Sequence, residues 1–259
     1  MAPTLNLVNE ERGRMLARLR QAGLPDEFVH ELAGDNIAVR YSRRVRLFVH
    51  GAPADLLMLI LSGVVKVQCV QPDGRRFLAA LAGPGEVIGY ADLNDAKGRH
   101  TQAFEAEALT NCTVALIARQ RILRLLEEFD RPTLLSLFER LNTFWASAVY
   151  HYTKFLTLSY SERLEAMLSE VGSRFGVVEA RGTLITLELG HDDWAAMIGS
   201  SRPMVSRLLA EMEHRHLIAR EGKRYILFAD TGLGKSGLDA ANNGSVHLPA
   251  VAARPRASL

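Results

Sequence analysis

The stretch HDDWAAMIGSSRPMVSRLLAEMEHRHLI, residues 191–218, decides how the C-terminal part of this chain folds. Trp194, Ala195 and Ile198 fall on one face of a short helix. Gly199 supplies a tight turn, where a residue tolerant of positive φ is needed. Ser200 and Ser201 each offer an N-cap hydroxyl to the next helix. Pro203 is accepted there because N–H groups of the first turn have no intrahelical partner. Val205, Leu208, Leu209 and Met212 then recur at i, i+3, i+4 and i+7, a stripe to be buried. The small Ala195 lets the two helices cross closely. The spacing is that of a helix-turn-helix whose second helix covers 201–214.

The face opposite the stripe carries Arg202, Ser206 and Arg207, with Ser201 and Pro203 at the same N-terminal end. In a helix-turn-helix that end enters the major groove of double-stranded DNA. An arginine fork matches guanine O6 and N7, so Arg202 and Arg207 are candidate base readers. The following LIAREGKRYILF, 217–228, gives two strand-like pieces about Glu221-Gly222-Lys223. This is the pattern of a wing, with Lys223 and Arg224 placed for phosphate. A small helical domain with ordinary surface arginines is the competing reading. Turn, cap, stripe and wing agree against it.

Upstream, Leu134, Phe138, Leu141, Trp145, Ala148, Tyr152 and Phe155 step by +4 and +3 without a break. A 3.5-residue repeat held over three heptads is the period of a left-handed coiled coil. Residues 133–158 are therefore expected to form a dimerisation helix, so that the chain partners itself. The alternative is a helix buried only against its own domain. Leu135, Leu137, Phe144 and Val149 widen the apolar stripe enough to serve both surfaces. Ser159-x-x-Glu162 then has the form of a capping box. It starts a new helix and makes 156–160 a hinge.

Between 36 and 118 the pattern changes to short apolar runs, at Leu56–Leu61, Val64–Val70, Phe77–Leu81 and Val114–Ile117. Gly51, Pro53, Gly63, Pro72-Asp73-Gly74 and Gly83-Pro84-Gly85 punctuate them. Many short strands with such turns imply a closed or double-layered antiparallel sheet. The expected class is α+β. It comprises a β-roll domain with N-terminal helices (1–132), the dimerisation helix (133–158), a winged helix-turn-helix (159–229) and a disordered tail (230–259).

Composition narrows the functional classes. The 259 residues carry a net charge of +2, with 48% hydrophobic and 23% charged residues. Net charge alone therefore does not point to nucleic acid. No run approaches the roughly 20 apolar residues of a membrane span, so no membrane partner is expected. The opening MAPTLNLVNEERGRM lacks the basic and apolar regions of a signal peptide. Two cysteines, Cys69 and Cys112, fit a reducing cytoplasm and are too few for a four-thiolate cluster.

Taken in order, these parts resemble the catabolite-activator and fumarate-nitrate-reduction regulator (CRP/FNR) family over about 28–229. PADLLMLILSGVVKVQCVQPDGRRFLAALAGPGEVIG, 53–89, is similar to the family's first half-roll, and IGSSRPMVSRLL, 198–209, to its recognition helix. The resemblance implies a double-stranded β-helix of the cyclic-nucleotide-binding kind as sensor. It implies a homodimeric transcription regulator, not an enzyme, with RNA polymerase as a further partner and a small-molecule effector. The family's recognition-helix arginines match Arg202 and Arg207. Its usual glutamate is replaced by Pro203, which cannot accept from cytosine N4.

The sensor pocket departs from the cyclic-nucleotide pattern. The family's Gly-Glu pair, which holds the ribose, reads Gly89-Tyr90 here. Its phosphate-pairing Arg-Ser/Thr-Ala reads Gln102-Ala103-Phe104, with Arg99 and His100 nearby. A neutral Gln gives no charge-assisted pairing with phosphate. The expectation is an unidentified signal at a degenerate pocket formed by Gly89, Tyr90, Arg99, His100, Gln102 and Ala103, or activity without effector. The alternative is a cAMP-responsive regulator using a shifted pocket. No cofactor and no metal site are expected. His50, Cys69 and His100 are available as haem ligands, but His50 falls in a turn. His214-x-His216 points two ways on a helix. A cupin-like enzyme would need a His-x-His pair within 36–118, which is lacking. A partner-binding scaffold that no longer reads DNA would have no use for Arg202 and Arg207.

Overall fold

The computed structural model describes residues 4–6, 13, 16–17, 20, 29, 37–74, 76–89, 92–94, 100–135, 138–139, 142, 152–153 and 155–229. Among the described residues eleven strands come first: β1 (Thr4–Asn6), β2 (Ile37–Tyr41), β3 (Arg46–Phe48), β4 (Leu56–Ser62), β5 (Val65–Val70), β6 (Arg76–Ala82), β7 (Val87–Ile88), β8 (Asp92–Asn94), β9 (His100–Gln102), β10 (Glu105–Ala108) and β11 (Cys112–Ala118). They form a sheet ordered β1-β2-β11-β4-β7, a second ordered β3-β10-β5-β6, and the β8-β9 ribbon. Every pairing among them is antiparallel.

Side-chain alternation explains why β4 reads as one continuous apolar run. Met58 and Ile60 point into the core between the two sheets, with Val39, Val65, Ala106 and Val114. Leu59 and Leu61 point the other way, into a layer with Ala115, Ile117 and Leu125. Successive strand residues face opposite sides, so a strand covered on both faces shows no polar positions. The second layer is roofed by helix α1 (Arg119–Glu128), through Leu125 and Ile122, and by Val29.

After α1 the described residues at 131–135, 138–139, 142, 152–153 and 155–156 are helical. Helix α2 (Tyr160–Phe175) starts on the expected capping box: Ser159 Oγ accepts from the Glu162 N–H, and the Glu162 carboxylate accepts from Ser159 N–H at 2.8 Å. Then follow β12 (Gly176–Glu179), β13 (Gly182–Ile185), α3 (His191–Ile198), α4 (Arg202–His214), β14 (Ile218–Glu221) and β15 (Arg224–Phe228). The four strands form one sheet, β12-β13-β15-β14.

The β12-β13 hairpin is a pair of strands that the sequence pattern does not predict. Val177 and Val178 of β12 are both exposed, so that strand has no buried–exposed alternation to betray it. Among the described residues, no helix is long and apolar enough to cross a membrane.

The winged domain does not have a core to itself. Leu164, Leu168, Ile185, Trp194, Ile198, Val205 and Leu209 belong to one apolar cluster with Val64, Leu81 and Leu109 of the roll. Ion pairs ring this joint: Arg43 with Glu188 at 2.9 Å, Lys66 with Asp193 at 3.2 Å, and Arg174 with Glu86 at 2.8 Å.

Candidate nucleic-acid interface

The turn between α3 and α4 is built as the sequence requires. Gly199 takes φ 67° and ψ 36°, and its N–H donates to Ala195 O. A side chain there would be strained by the backbone alone. Trp194, Ala195, Met197 and Ile198 of α3 are buried, as are Val205, Leu208, Leu209 and Met212 of α4. Burial of this stripe turns the opposite face of α4 outward. Ser201, Arg202, Pro203 and Arg207 are all exposed there.

One local expectation fails. Ser201 is the N-cap of α4, but its side chain makes no capping hydrogen bond. Pro203 occupies the second helical position and has no N–H, which removes one of the donors a cap would satisfy. Arg202 is 68% exposed, with Asp192 of α3 as its nearest carboxylate at 3.9 Å. Arg207 rests on Met204, Nη2 to Sδ, at 3.0 Å. At the wing tip Gly222 adopts φ 62°, with Lys223 and Arg224 exposed beside it.

Ser206 is placed differently from the two arginines. It is half-buried, its Oγ donates to Arg202 O at 3.0 Å, and His191 Nδ1 lies 2.7 Å from the same Oγ. Tyr225 OH reaches His191 Nε2 at 3.3 Å. With the serine proton given to the Arg202 carbonyl, Nδ1–H donates to Oγ and Nε2 accepts from the phenol. This tautomer is assigned from the hydrogen-bond balance. The relay ties the wing strand, the first residue of α3 and the recognition helix together. Burial pushes the Tyr225 phenol above its usual pKa, so it stays a donor. Trp194, edge-on to Tyr225 at 6.4 Å, has a buried Nε1 with no hydrogen-bond partner among the described residues. His191 and Tyr225 were not singled out from sequence, because nothing in a linear pattern brings positions 191, 206 and 225 together.

Between this surface and the roll lies a cleft of about 510 Å³ lined by Arg43, Arg44, Lys66, Arg202 and Lys223 among others. Asp193 divides its carboxylate across the joint. Oδ2 accepts from Gly190 N–H at 2.9 Å and Oδ1 from Lys66 at 3.2 Å.

In the roll, Gln102 is 3% exposed. Its side-chain Nε2 donates to Gly89 O at 3.5 Å, and its backbone pairs with Gly51 and Ala52. Gly89 has φ 87°, and a Cβ there would press on the Leu56 carbonyl at 2.9 Å. Ala103 is half-buried, and His100 is exposed on β9. Tyr90 and Arg99 lie outside the described residues. Of the seam positions, Leu134, Phe138 and Tyr152 are exposed on the single chain and Phe155 is half-buried. Leu141, Trp145 and Ala148 lie outside the described residues, as does the tail 230–259. His216 is beyond the end of α4 at φ 53°, so helical geometry does not govern the His214/His216 pair. Among the described residues, no group of three or more His, Cys, Asp or Glu is placed to hold a metal.

Comparison with known proteins agrees with this architecture. Residues 38–129 match the model of the cyclic nucleotide-binding domain, and residues 162–232 that of the Crp-like helix-turn-helix domain. The chain is 27% identical over 192 residues to the CRP-like cAMP-activated global transcriptional regulator of Mycobacterium tuberculosis, covering 73% of this chain and 83% of that protein. It is 27% identical over 199 residues to the global nitrogen regulator of Synechococcus elongatus, covering 76% and 87%. Among solved structures, FixK2 from Bradyrhizobium japonicum superposes with a TM-score of 0.61 at 21% identity, over 74% of this chain and 92% of that one. The c-di-GMP responsive regulator CLP of Xanthomonas campestris gives 0.62 at 20% identity, over 86% and 100%. Two domain matches in this order, with relatives named as regulators, lead to one conclusion: the chain belongs to the CRP/FNR family of transcription regulators and carries a Crp-like helix-turn-helix DNA-binding domain.

Proposed function

We propose that the protein is a homodimeric, sequence-specific transcription regulator that reads a two-fold-symmetric operator with helix α4, Arg202 and Arg207 contacting base edges and Lys223 and Arg224 the phosphates. The observation that carries this reading is the division of α4 into a wholly buried apolar stripe and an exposed face bearing both arginines. The dimer is supported by Phe138 at 60% and Tyr152 at 64% exposure, both helical residues with large rings that a second copy would cover. A dimer sets the half-sites about one helical turn, 34–36 Å, apart. Ser201 and Pro203 shape the helix entry, and RNA polymerase is the proposed further partner.

The signal is proposed to act at a degenerate pocket around Gly89, Tyr90, Arg99, His100, Gln102 and Ala103, or to be absent, the apoprotein being active. What supports degeneracy is that Gln102 spends its amide on Gly89 O and brings no charge. The second reading is control by cAMP through a shifted pocket. Its support is the Mycobacterium tuberculosis relative, named as cAMP-activated.

Selection of binding sites from random duplex DNA, with purified ligand-free protein at a stated salt concentration, tests the main reading. Enrichment of a palindrome is the expected result. Enrichment only with cAMP added favours the second reading. No enrichment under either condition argues against sequence-specific reading by this chain.

A further inference from the structure

Arg163 stands where the dimer helix, the hinge and the helix-turn-helix meet. It is the fourth residue of α2, half-buried, and its three guanidinium nitrogens go to three carbonyls. Nε donates to Leu158 O at 3.0 Å, Nη2 to Leu156 O at 3.1 Å, and Nη1 to Ile198 O at 3.3 Å. The first acceptor lies in the hinge, and the second is the carbonyl of Leu156, the last helical residue before Thr157 and Leu158. The third is the last carbonyl of α3, directly before the Gly199 turn. The cation is flanked by the rings of Phe155 and Tyr160, each centred 5.3 Å from its central carbon.

The chemistry suits a joint. Carbonyls in the last turn of a helix lack intrahelical donors and carry the negative end of the helix dipole. Arg163 places one positive charge between two such ends. The planar fork spreads its donors over three nitrogens and so over acceptors in different directions, whereas the three donors of a lysine all leave one nitrogen. The two rings hold the plane of the fork by cation–π contact. A rotation of the dimer helix at the hinge therefore moves the base of the α3–α4 turn with it, or breaks these bonds.

Resting on the dimeric reading above, the geometry assigns to Arg163 a positioning role: it locks the hinge to the helix-turn-helix, so that the dimer accepts one half-site spacing. It touches no base. Its contribution is the stiffness with which the paired recognition helices are held apart.

The test measures affinity for the selected operator and for versions with one base pair added or removed between half-sites. One pair rotates a half-site by about 34–36° and shifts it by about 3.4 Å. The wild-type protein is expected to lose about tenfold or more in affinity on either change. In Arg163→Met that discrimination should fall to about twofold, with the base preference inside each half-site unchanged. Arg163→Lys should recover part of it. Should Arg163→Met fail to fold by circular dichroism, Arg163→Gln, which keeps a planar amide donor, is read in its place. Full spacing discrimination in the variant overturns the proposal. So does a loss of half-site preference in step with thermal stability, since Arg163 would then be holding the fold only. A wild-type protein with no palindromic preference instead removes the dimeric reading, and the assignment with it.

Discussion

His191 Nδ1 and Ser206 Oγ lie 2.7 Å apart, and that contact holds a hydroxyl of the recognition helix inside the domain. Ser206 thus has both a donor and an acceptor before DNA arrives, which separates it from Arg202 and Arg207. Ser206→Ala is expected to change operator base preference less than about threefold while lowering stability by about 1 kcal/mol, the net worth of a hydrogen bond. Arg207→Ala should cost about 1–3 kcal/mol of operator affinity and relax the preference at one base pair. Fluorescence anisotropy on a panel of single-base operator variants separates the two. A collapse of preference in Ser206→Ala would mean that the hydroxyl leaves His191 to read a base.

Phe138 and Tyr152 test the seam. Phe138→Glu with Tyr152→Glu puts charge on the apolar face, and is expected to give a monomer by sedimentation. Operator affinity should fall about a hundredfold or more, because the second half-site no longer benefits from linkage to the first. A dimer that survives both changes places the interface elsewhere.

Arg174 joins α2 to the roll, with bonds to both Glu86 oxygens at 3.0 and 2.8 Å and to Leu81 O at 2.8 Å. Both side chains are partly exposed, so the pair is expected to couple by about 1 kcal/mol or less. A double-mutant cycle of Arg174→Met and Glu86→Gln in urea melts measures it. A coupling near zero would leave the joint to its apolar contacts.

Acid should loosen the other clamp. The hydrogen bond from Arg43 holds the Glu188 carboxyl below its ordinary value of 4.5. A lowered folded-state pKa stabilises wherever the carboxylate is ionised in both states, and that stabilisation is lost as pH falls from 4.5 through the folded value. Glu188→Gln should therefore melt below wild type at pH 7, and the gap should close progressively as pH falls below 4.5. A gap that widens in acid would reverse the sign of the argument.

Burial pushes the Cys112 thiol up to about 11, whereas Cys69 is half-exposed on β5. At pH 8 only about one Cys112 in a thousand is a thiolate. Iodoacetamide followed by mass spectrometry should find Cys69 alkylated first, and Cys112 only after unfolding. Early labelling of Cys112 would show that β11 opens readily.

What the sequence disclosed is what local sterics and period control. Gly199, the Val205–Met212 stripe and the Ser159–Glu162 box each act within one or two turns of chain, so their spacing reports their structure. The runs at β4 and β11 were legible as strands because two buried faces leave no polar interruption. Ser201 had the right residue type for a cap, but its side chain makes no capping bond, and Pro203 two places on lacks one of the N–H donors such a cap would use. Other features depend on distant partners. Arg163 meets Ile198 across 35 positions and Arg174 meets Glu86 across 88, and no pattern in one chain marks an arginine for a particular carbonyl. The β12–β13 hairpin was hidden for a similar reason: it is short, and its outer strand has no apolar face of its own to bury.

The apolar cluster that runs from Val64, Leu81 and Leu109 into Leu164, Trp194 and Val205 bears on how such a protein diversifies. A reading head with a self-contained core is a cassette, exchangeable between sensors like a tool bit. This one is not. Transplanted onto another roll, it would bring half of a shared lining against a surface cut for a different neighbour. New operator preference is therefore open to it through the exposed residues of α4 alone, whereas each change beneath the helices must be matched by one in the roll.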